Sequence, residues 1–301
     1  MLLAIQIQEL RNGDILVKCR GIYMYSDKTL MLNNGVEVPR IQLGTWLINN
    51  DDVRKVIRQA INVGYRAFDT AKDYGNESGV GKGIWNSDVE RSDIFLTTKL
   101  PTSIKDYEGT KKAIDDALDR FNLEYIDMLL IHSPQPWIEV NRINDRHFEG
   151  NLENWRAMEE ALKAGKVRSI GVSNFLQEDV ANIVNNSSIK PVVNQIEVHI
   201  GNVPTDLMKY CKNLGIQIEA YSPLAHGRLL KDPRIRTYAE KYHVSPAQLM
   251  LAFDLQLGCI VLPKSDNVKE MQENLNIDFE ISADDMADLV KLKENTQTMA
   301  V

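Results

Sequence analysis

At 301 residues and 44% hydrophobic composition, the chain has material for a large core, either as two ordinary domains or as one α/β barrel of typical size. A formal net charge of -7, with no cluster of lysine and arginine, excludes a nucleic-acid binder, since neutralising phosphates needs a basic face. No apolar run reaches the roughly 20 residues of a membrane span, and the first ten residues, broken by Gln6, Gln8 and Glu9, lack the basic start of a signal peptide.

The cysteines, Cys19, Cys211 and Cys259, are odd in number, far apart and without ligand spacing. They read as free thiols of a reducing, cytoplasmic compartment. Two glycosylation sequons, at Asn76 and Asn185, would go unused there.

Residues 1 to 30 alternate loosely around Arg11-Asn12-Gly13-Asp14, whose Asn-Gly suits a tight hairpin turn. Residues 1 to 23 read as a possible extension. A second hairpin signal lies at Asn33-Asn34-Gly35, with Pro39 close behind, which suits short capping or edge strands. From Arg40 the pattern becomes strand then helix, repeatedly. Ile41 to Trp46 is a short strand and turn, and Val53, Val56, Ile57, Ala60 and Ile61 have helical spacing that stops at Gly64. Further strands follow in the run before Asp69, at Ile94 to Lys99 and at Ile126 to His132. Four more lie at Ser169 to Asn174, Val192 to Gln195, Ile216 to Tyr221 and Ile260 to Pro263, and helical patterns separate them. Ser245-Pro246-Ala247-Gln248 is a capping box with proline at the first helical position. Eight strand signals alternating with helices, and no linker between them, predict a parallel (β/α)8 TIM barrel in a single domain spanning 1–301, with hairpins capping its bottom. An open doubly wound sheet is the runner-up.

In such a barrel every βα loop opens on one face, so Asp69, Tyr74, Lys99 and His132, from three successive units, are expected to converge. A lysine ammonium near a phenol favours the phenolate and lowers its pKa. Asp69 beside Lys99 would hold that ammonium in place. A phenol tuned in this way can give its proton to a carbonyl oxygen, with His132 orienting the carbonyl. No side chain supplies hydride, and a nicotinamide is the usual source. The histidines lack paired-ligand spacing, and Asp69 and Asp73 have no histidine near them in sequence, so no metal site is predicted. Ser173 and Ser222 lack the nucleophile turn of serine hydrolases. Gly79-Val80-Gly81-Lys82-Gly83 follows a loop rather than a strand and reads as a helix start, not a dinucleotide fingerprint.

These residues carry a resemblance. The run Gly64 to Ala71 with Tyr74-Gly75-Asn76-Glu77, Thr98-Lys99-Leu100, Leu130 to Pro134, Gly171 to Phe175, Asn194 to His199, Ala220 to Leu224, and Leu262 to Ser265 with Glu273-Asn274 match the aldo-keto reductase superfamily. The match runs from Lys28 to about Asn274, and the chain looks similar to bacterial 2,5-diketogluconate reductases and general aldehyde reductases. The resemblance implies an NADPH-dependent reductase of aldehydes and ketones, with Tyr74 as general acid, Lys99 and Asp69 tuning it, and His132 orienting substrate. It implies further that Ser173, Asn174 and Gln195 hold the carboxamide, and that Tyr221 stacks on the nicotinamide. Ser222 and Leu224 would lie along the pyrophosphate, Lys264 and Ser265 would meet the 2'-phosphate, and Glu273 and Asn274 would lie near the adenine. Trp46 and Trp137 would wall the substrate pocket.

Two departures stand out. Where the family usually places an arginine for the 2'-phosphate this chain has Glu270, and Asp266 adds a carboxylate near Lys264. Weakened NADPH preference, with NADH possible, is therefore expected. The short tail after Asn274 suggests an open pocket and loose substrate choice. A monomer with a small-molecule carbonyl substrate, and no nucleic-acid or membrane partner, completes the expectation. The competing readings are a regulatory protein that senses NADP(H) with slow turnover and, more weakly, a metal-assisted hydrolase on the same fold.

Overall fold

Each repeating unit starts from local signals that the structure honours. The computed structural model describes residues 28–140 and 142–293, together with the strand segments Gln6–Glu9 (β1) and Ile15–Lys18 (β2), which pair antiparallel. The Asn12-Gly13 turn between them and Cys19 lie outside the described residues, as does the end of the tail, 294–301. A second hairpin joins Thr29–Met31 (β3) to Glu37–Pro39 (β4). The barrel then follows as β5 (Leu43–Gly44), α1 (Asn50–Val63), β6 (Ala67–Asp69), α2 (Glu77–Trp85), β7 (Phe95–Leu100), α3 (Tyr107–Phe121), β8 (Met128–Ile131), α4 (Phe148–Lys163) and β9 (Ile170–Ser173). It continues through α5 (Gln177–Asn186), β10 (Val193–Glu197), α6 (Thr205–Asn213), β11 (Gln217–Tyr221), α7 (Pro233–Lys241), α8 (Pro246–Gln256) and β12 (Ile260–Leu262), with α9 (Val268–Leu275) and α10 (Ala283–Lys291) last.

The eight strands β5 to β12 pair in sequence order, all parallel. Backbone bonds from Gln42 N to Val261 O and from Gly44 N to Pro263 O close the sheet on itself. The chain is a (β/α)8 barrel. Its lower interior is apolar, filled by Ala67, Phe95, Met128, Val193 and Ile260, and Leu32 and Val38 of the β3–β4 hairpin pack into the same cluster. Asn33 holds that hairpin by donating to the carbonyls of Pro191 and Gly215 at 2.9 and 3.1 Å. Both residues precede strands, so the hairpin caps the end opposite the βα loops.

Caps mark the helix ends, and those at Gly64 and Ser245 fall where the sequence signals predicted. The Asn49 side chain accepts from Asp51 N and Asp52 N at the start of α1, and Gly64 ends it with φ 114°. The Ser245 and Gln248 side chains form the capping box of α8. The glycine run 79–83 lies inside α2 rather than opening it. A Cβ at Gly81 would stand 2.4 Å from the Phe121 carbonyl oxygen, so the residue is small because α2 and the end of α3 meet backbone to backbone. Among the described residues no helix is long and apolar enough to cross a membrane. Cys211 and Cys259 are free and buried.

Candidate active site

Polar residues replace apolar ones in the upper half of the barrel. Asp69 ends β6, Lys99 lies near the end of β7, His132 follows β8, and Gln195 and Glu219 come from β10 and β11. All five are buried. The Lys99 Nζ donates to both Asp69 carboxylate oxygens, at 2.6 and 2.7 Å, and to the Thr70 carbonyl at 2.9 Å. It also lies 3.4 Å from the Tyr74 hydroxyl. The Gln195 Nε2 donates to Asp69 Oδ2 at 2.9 Å and to Glu219 Oε2 at 3.0 Å, while the Gln42 Nε2 donates to Glu219 Oε1 at 3.1 Å. A continuous polar chain therefore runs from Glu219 through Gln195, Asp69 and Lys99 to the phenol.

Tyr74 closes a short 3-10 turn, Lys72–Tyr74, that is pinned on both sides. The buried Asn76 donates to the carbonyls of Thr45 and Ile48 and accepts from Thr70 Oγ1, so its sequon is structural. Glu77 accepts from Thr98 Oγ1 at 2.7 Å and from Arg120 Nε at 2.5 Å, tying α2 to the strand that bears Lys99.

Burial raises the Tyr74 pKa, and the opposing pull of Lys99 does not cancel it. The expectation that the lysine lowers the phenol's pKa is thus corrected: desolvation of the phenolate outweighs the nearby ammonium. The phenol keeps its proton at neutral pH, as an acid must. Burial works to lower the Lys99 pKa, but Asp69 and Tyr74 reverse it and the net direction is upward. His132 is held neutral chiefly by burial. Its ring meets Tyr74 edge-on at 5.6 Å and Trp137 at 5.0 Å. Its Nδ1 lies 3.4 Å from Asp73 Oδ2, too far for a well-formed hydrogen bond.

A cleft of about 1310 Å³ opens above these groups. Trp46, Leu47, Asp73, Tyr74, His132 and Trp137 line it, together with Ser173, Asn174, Gln195, Tyr221, Ser222 and Leu224. Lys264, Glu270, Glu273 and Asn274 also line it. Asn174 and Ser222 have φ of 61° and 49°, the left-handed region that strained site residues often occupy. The turn lets Asn174 accept from the Tyr221 hydroxyl at 2.9 Å while donating to the His132 carbonyl at 3.0 Å and to Ser173 Oγ at 3.1 Å. Three strand ends are linked through one side chain. Two expected site residues lie outside the lining: Lys99, which meets the cleft through Tyr74, and Ser265. Ser265 is buried, and its hydroxyl donates to Glu270 Oε2 at 2.7 Å.

Sequence reasoning missed Glu219, Gln42 and the role of Asp73 in framing the pocket. Asp73 had one usable signal, its place next to Tyr74. Glu219 had none, because a glutamate in a strand ordinarily reads as a solvent-facing position.

Comparison with known proteins points to one family. A model of the Aldo/keto reductase family matches residues 40–294. The chain belongs to that family. It is 41% identical to a glyoxal reductase of Bacillus subtilis over 86% of this chain and 90% of that one. An aldo/keto reductase of Brucella melitensis superposes with a TM-score of 0.82 at 39% identity, covering 90% of this chain and 99% of the other. A Bombyx mori aldo-keto reductase, solved in complex with NADP, gives 0.78 at 34% identity over 87% and 92%.

Proposed function

We propose that this aldo/keto reductase reduces an aldehyde or ketone to the alcohol with NADPH, and that Tyr74 gives the proton. The observation that carries the reading is the contact chain at the cleft floor, in which a protonated phenol lies 3.4 Å from an ammonium fixed by a carboxylate. The cleft exceeds the roughly 300–1,000 Å³ of a drug-sized ligand site, which leaves room for a dinucleotide and a substrate together. The residues present fit such a cofactor. Gln195 has committed both amide hydrogens to carboxylates, so its carbonyl oxygen is left to accept from a carboxamide. Tyr221, held by Asn174, presents a fixed aromatic ring, and Ser222 and Leu224 continue the wall. Bound there, the reduced nicotinamide would supply the hydride.

The chain's own residues do the rest. Tyr74 donates its proton as the carbonyl oxygen gains charge, and the Lys99 ammonium stabilises the phenolate left behind. Asp69 keeps Lys99 charged and stationary. Neutral His132, in the tautomer with its proton on Nε2, can donate to the substrate oxygen and fix its direction. Trp46 and Trp137, each 46% exposed, form apolar walls at the mouth. A sensor role has no observation in its favour, since all the groups that proton transfer needs are in contact. One barrel carries the whole site, which suits action as a monomer.

The reading extends to NADH as a second cofactor. Ser265 donates to Glu270, and Lys264 lies 3.8 Å from Asp266, so the groups expected to meet a 2'-phosphate face carboxylates instead. Tyr74→Phe tests the main reading. Loss of reduced-nicotinamide absorbance with glyoxal should slow by about 10²–10⁴-fold while cofactor affinity, read by fluorescence, holds. Turnover that survives the change would remove Tyr74 as the proton donor.

A further inference from the structure

The substrate end of the cleft carries a carboxylate that proton transfer does not use. Asp73 precedes Tyr74 on the same turn. Its Oδ2 accepts a hydrogen bond from Trp137 Nε1 at 3.1 Å and lies 3.4 Å from His132 Nδ1. The group is thus fixed between two residues that frame the carbonyl's position. Burial acts to raise its pKa, but its polar neighbours, Trp137 and the Thr102 backbone among them, bring it below the ordinary value. Asp73 is ionised at neutral pH.

Among the described residues, the ion-pair contact of Asp73 is with the His132 ring, which burial holds neutral, and no lysine or arginine stands within 4 Å of it. The largest charge effects on Tyr74 and His132 come from Lys99, Asp69 and Asp73, and Lys99 is already matched by Asp69. Glu197, another carboxylate of the lining, is countered by His199, His226 and Arg228. Among the described residues the cations lining the cleft are Lys264, which lies 3.8 Å from Asp266, and Arg236 of α7. Asp69 is thus paired with an ammonium, whereas Asp73, at the substrate end, is paired only with a neutral ring.

We propose that Asp73 is a specificity-determining residue that selects uncharged aldehydes and dicarbonyls over carbonyl compounds bearing a carboxylate, so that keto acids and sugar acids are poor substrates. This rests on the carbonyl-reductase reading above. The side chain is 27% exposed, so solvent screens its field, and the effect on an anion about 5 Å away is roughly three- to tenfold.

The test is Asp73→Asn, which keeps an oxygen to accept from Trp137. kcat/KM is measured with NADPH for glyoxal against glyoxylate and for benzaldehyde against 4-carboxybenzaldehyde. The variant should shift the anionic-to-neutral ratio toward the anion by about three- to tenfold, and the shift should shrink in high salt as screening shortens the field. A mere loss of positioning would lower both members of each pair and leave the ratio unmoved, which would overturn the proposal. A readout independent of turnover is quenching of tryptophan fluorescence, to which Trp46 and Trp137 contribute, by benzamide against benzoate. Benzamide should bind the native protein more tightly, and Asp73→Asn should narrow the gap. Equal affinity of the native protein for both, or binding of neither, overturns charge selection. Charge-selective binding without turnover of any aldehyde would instead retain the pocket's selectivity and sink the reductase reading.

Discussion

The two ends of the cleft hold similar charges in opposite settings. At the floor, Asp69, Lys99 and Glu219 sit on strands, are buried, and have partners supplied by neighbouring strands. At the other end, Lys264 and Asp266 follow the last strand, with side chains 41% and 65% exposed, and lie 3.8 Å apart. Burial makes a charge pair strong and its disruption costly, whereas exposure leaves the pair screened and nearly free to change. Substitutions at the floor should therefore cost folding stability as well as chemistry. Substitutions at the far end should change ligand preference alone.

Lys99→Met probes the difference where it is largest. The change leaves the Asp69 carboxylate buried with Gln195 as its remaining donor. Breaking a buried pair by removing one partner costs about 3–5 kcal/mol. Urea unfolding should show a loss of that order, and Asp69→Asn added to Lys99→Met should recover much of it without restoring turnover. A single variant as stable as the native protein would mean that the floor behaves like the surface.

What could be read from the sequence divides along the same line. Asp69, Tyr74, Lys99 and His132 were legible because each ends or follows a strand, and eight strands alternating with helices leave one face for them. The signals at Gly64 and Ser245 were legible because they act within a few residues. The direction of the Tyr74 shift was not, since a sequence shows the lysine but not the desolvation. Glu219 was hidden because its partners, Gln42 and Gln195, are 177 and 24 residues away. In α8 every residue from Leu249 to Leu255 is buried, so no polar face marks its periodicity. The glycines of α2 read as a helix start rather than as packing positions because only the packed helices reveal what a side chain would strike.

A middle-sized effect is expected at the exposed end. Glu270→Arg removes the carboxylate that accepts from Ser265 Oγ and introduces a cation at the cleft lining. NADPH affinity should rise by about tenfold relative to NADH, the amount that about 1.4 kcal/mol of charge-assisted contact gives. Fluorescence titration with each cofactor measures this, and melting temperature should hardly move. An unchanged preference would place the 2'-phosphate elsewhere in the cleft. A large drop in stability would break the contrast between the two ends.

The smallest effect tests whether the floor titrates. Burial raises the Glu219 pKa to about 7; the Gln195 bond opposes this, the Asp69 charge adds to it, and Lys99 and Gln42 act against it. A carboxyl whose folded pKa lies above its unfolded value of about 4.3 binds its proton more tightly when native. The stabilisation is present in full below the unfolded value and is lost as pH rises through about 7. The protonated form has an acceptor within reach, because Gln42 Oε1 is buried without a partner and an amide rotation would turn it toward Glu219. Glu219→Gln can use that same rotation, so it removes the titration while keeping a donor–acceptor pair. Between pH 5 and pH 8 the native protein should lose stability relative to the variant by on the order of 1 kcal/mol, or about 2–4 °C in melting temperature. Parallel melting curves across that range would show that Glu219 keeps one protonation state, and the chain from Glu219 to Tyr74 would then act by geometry alone.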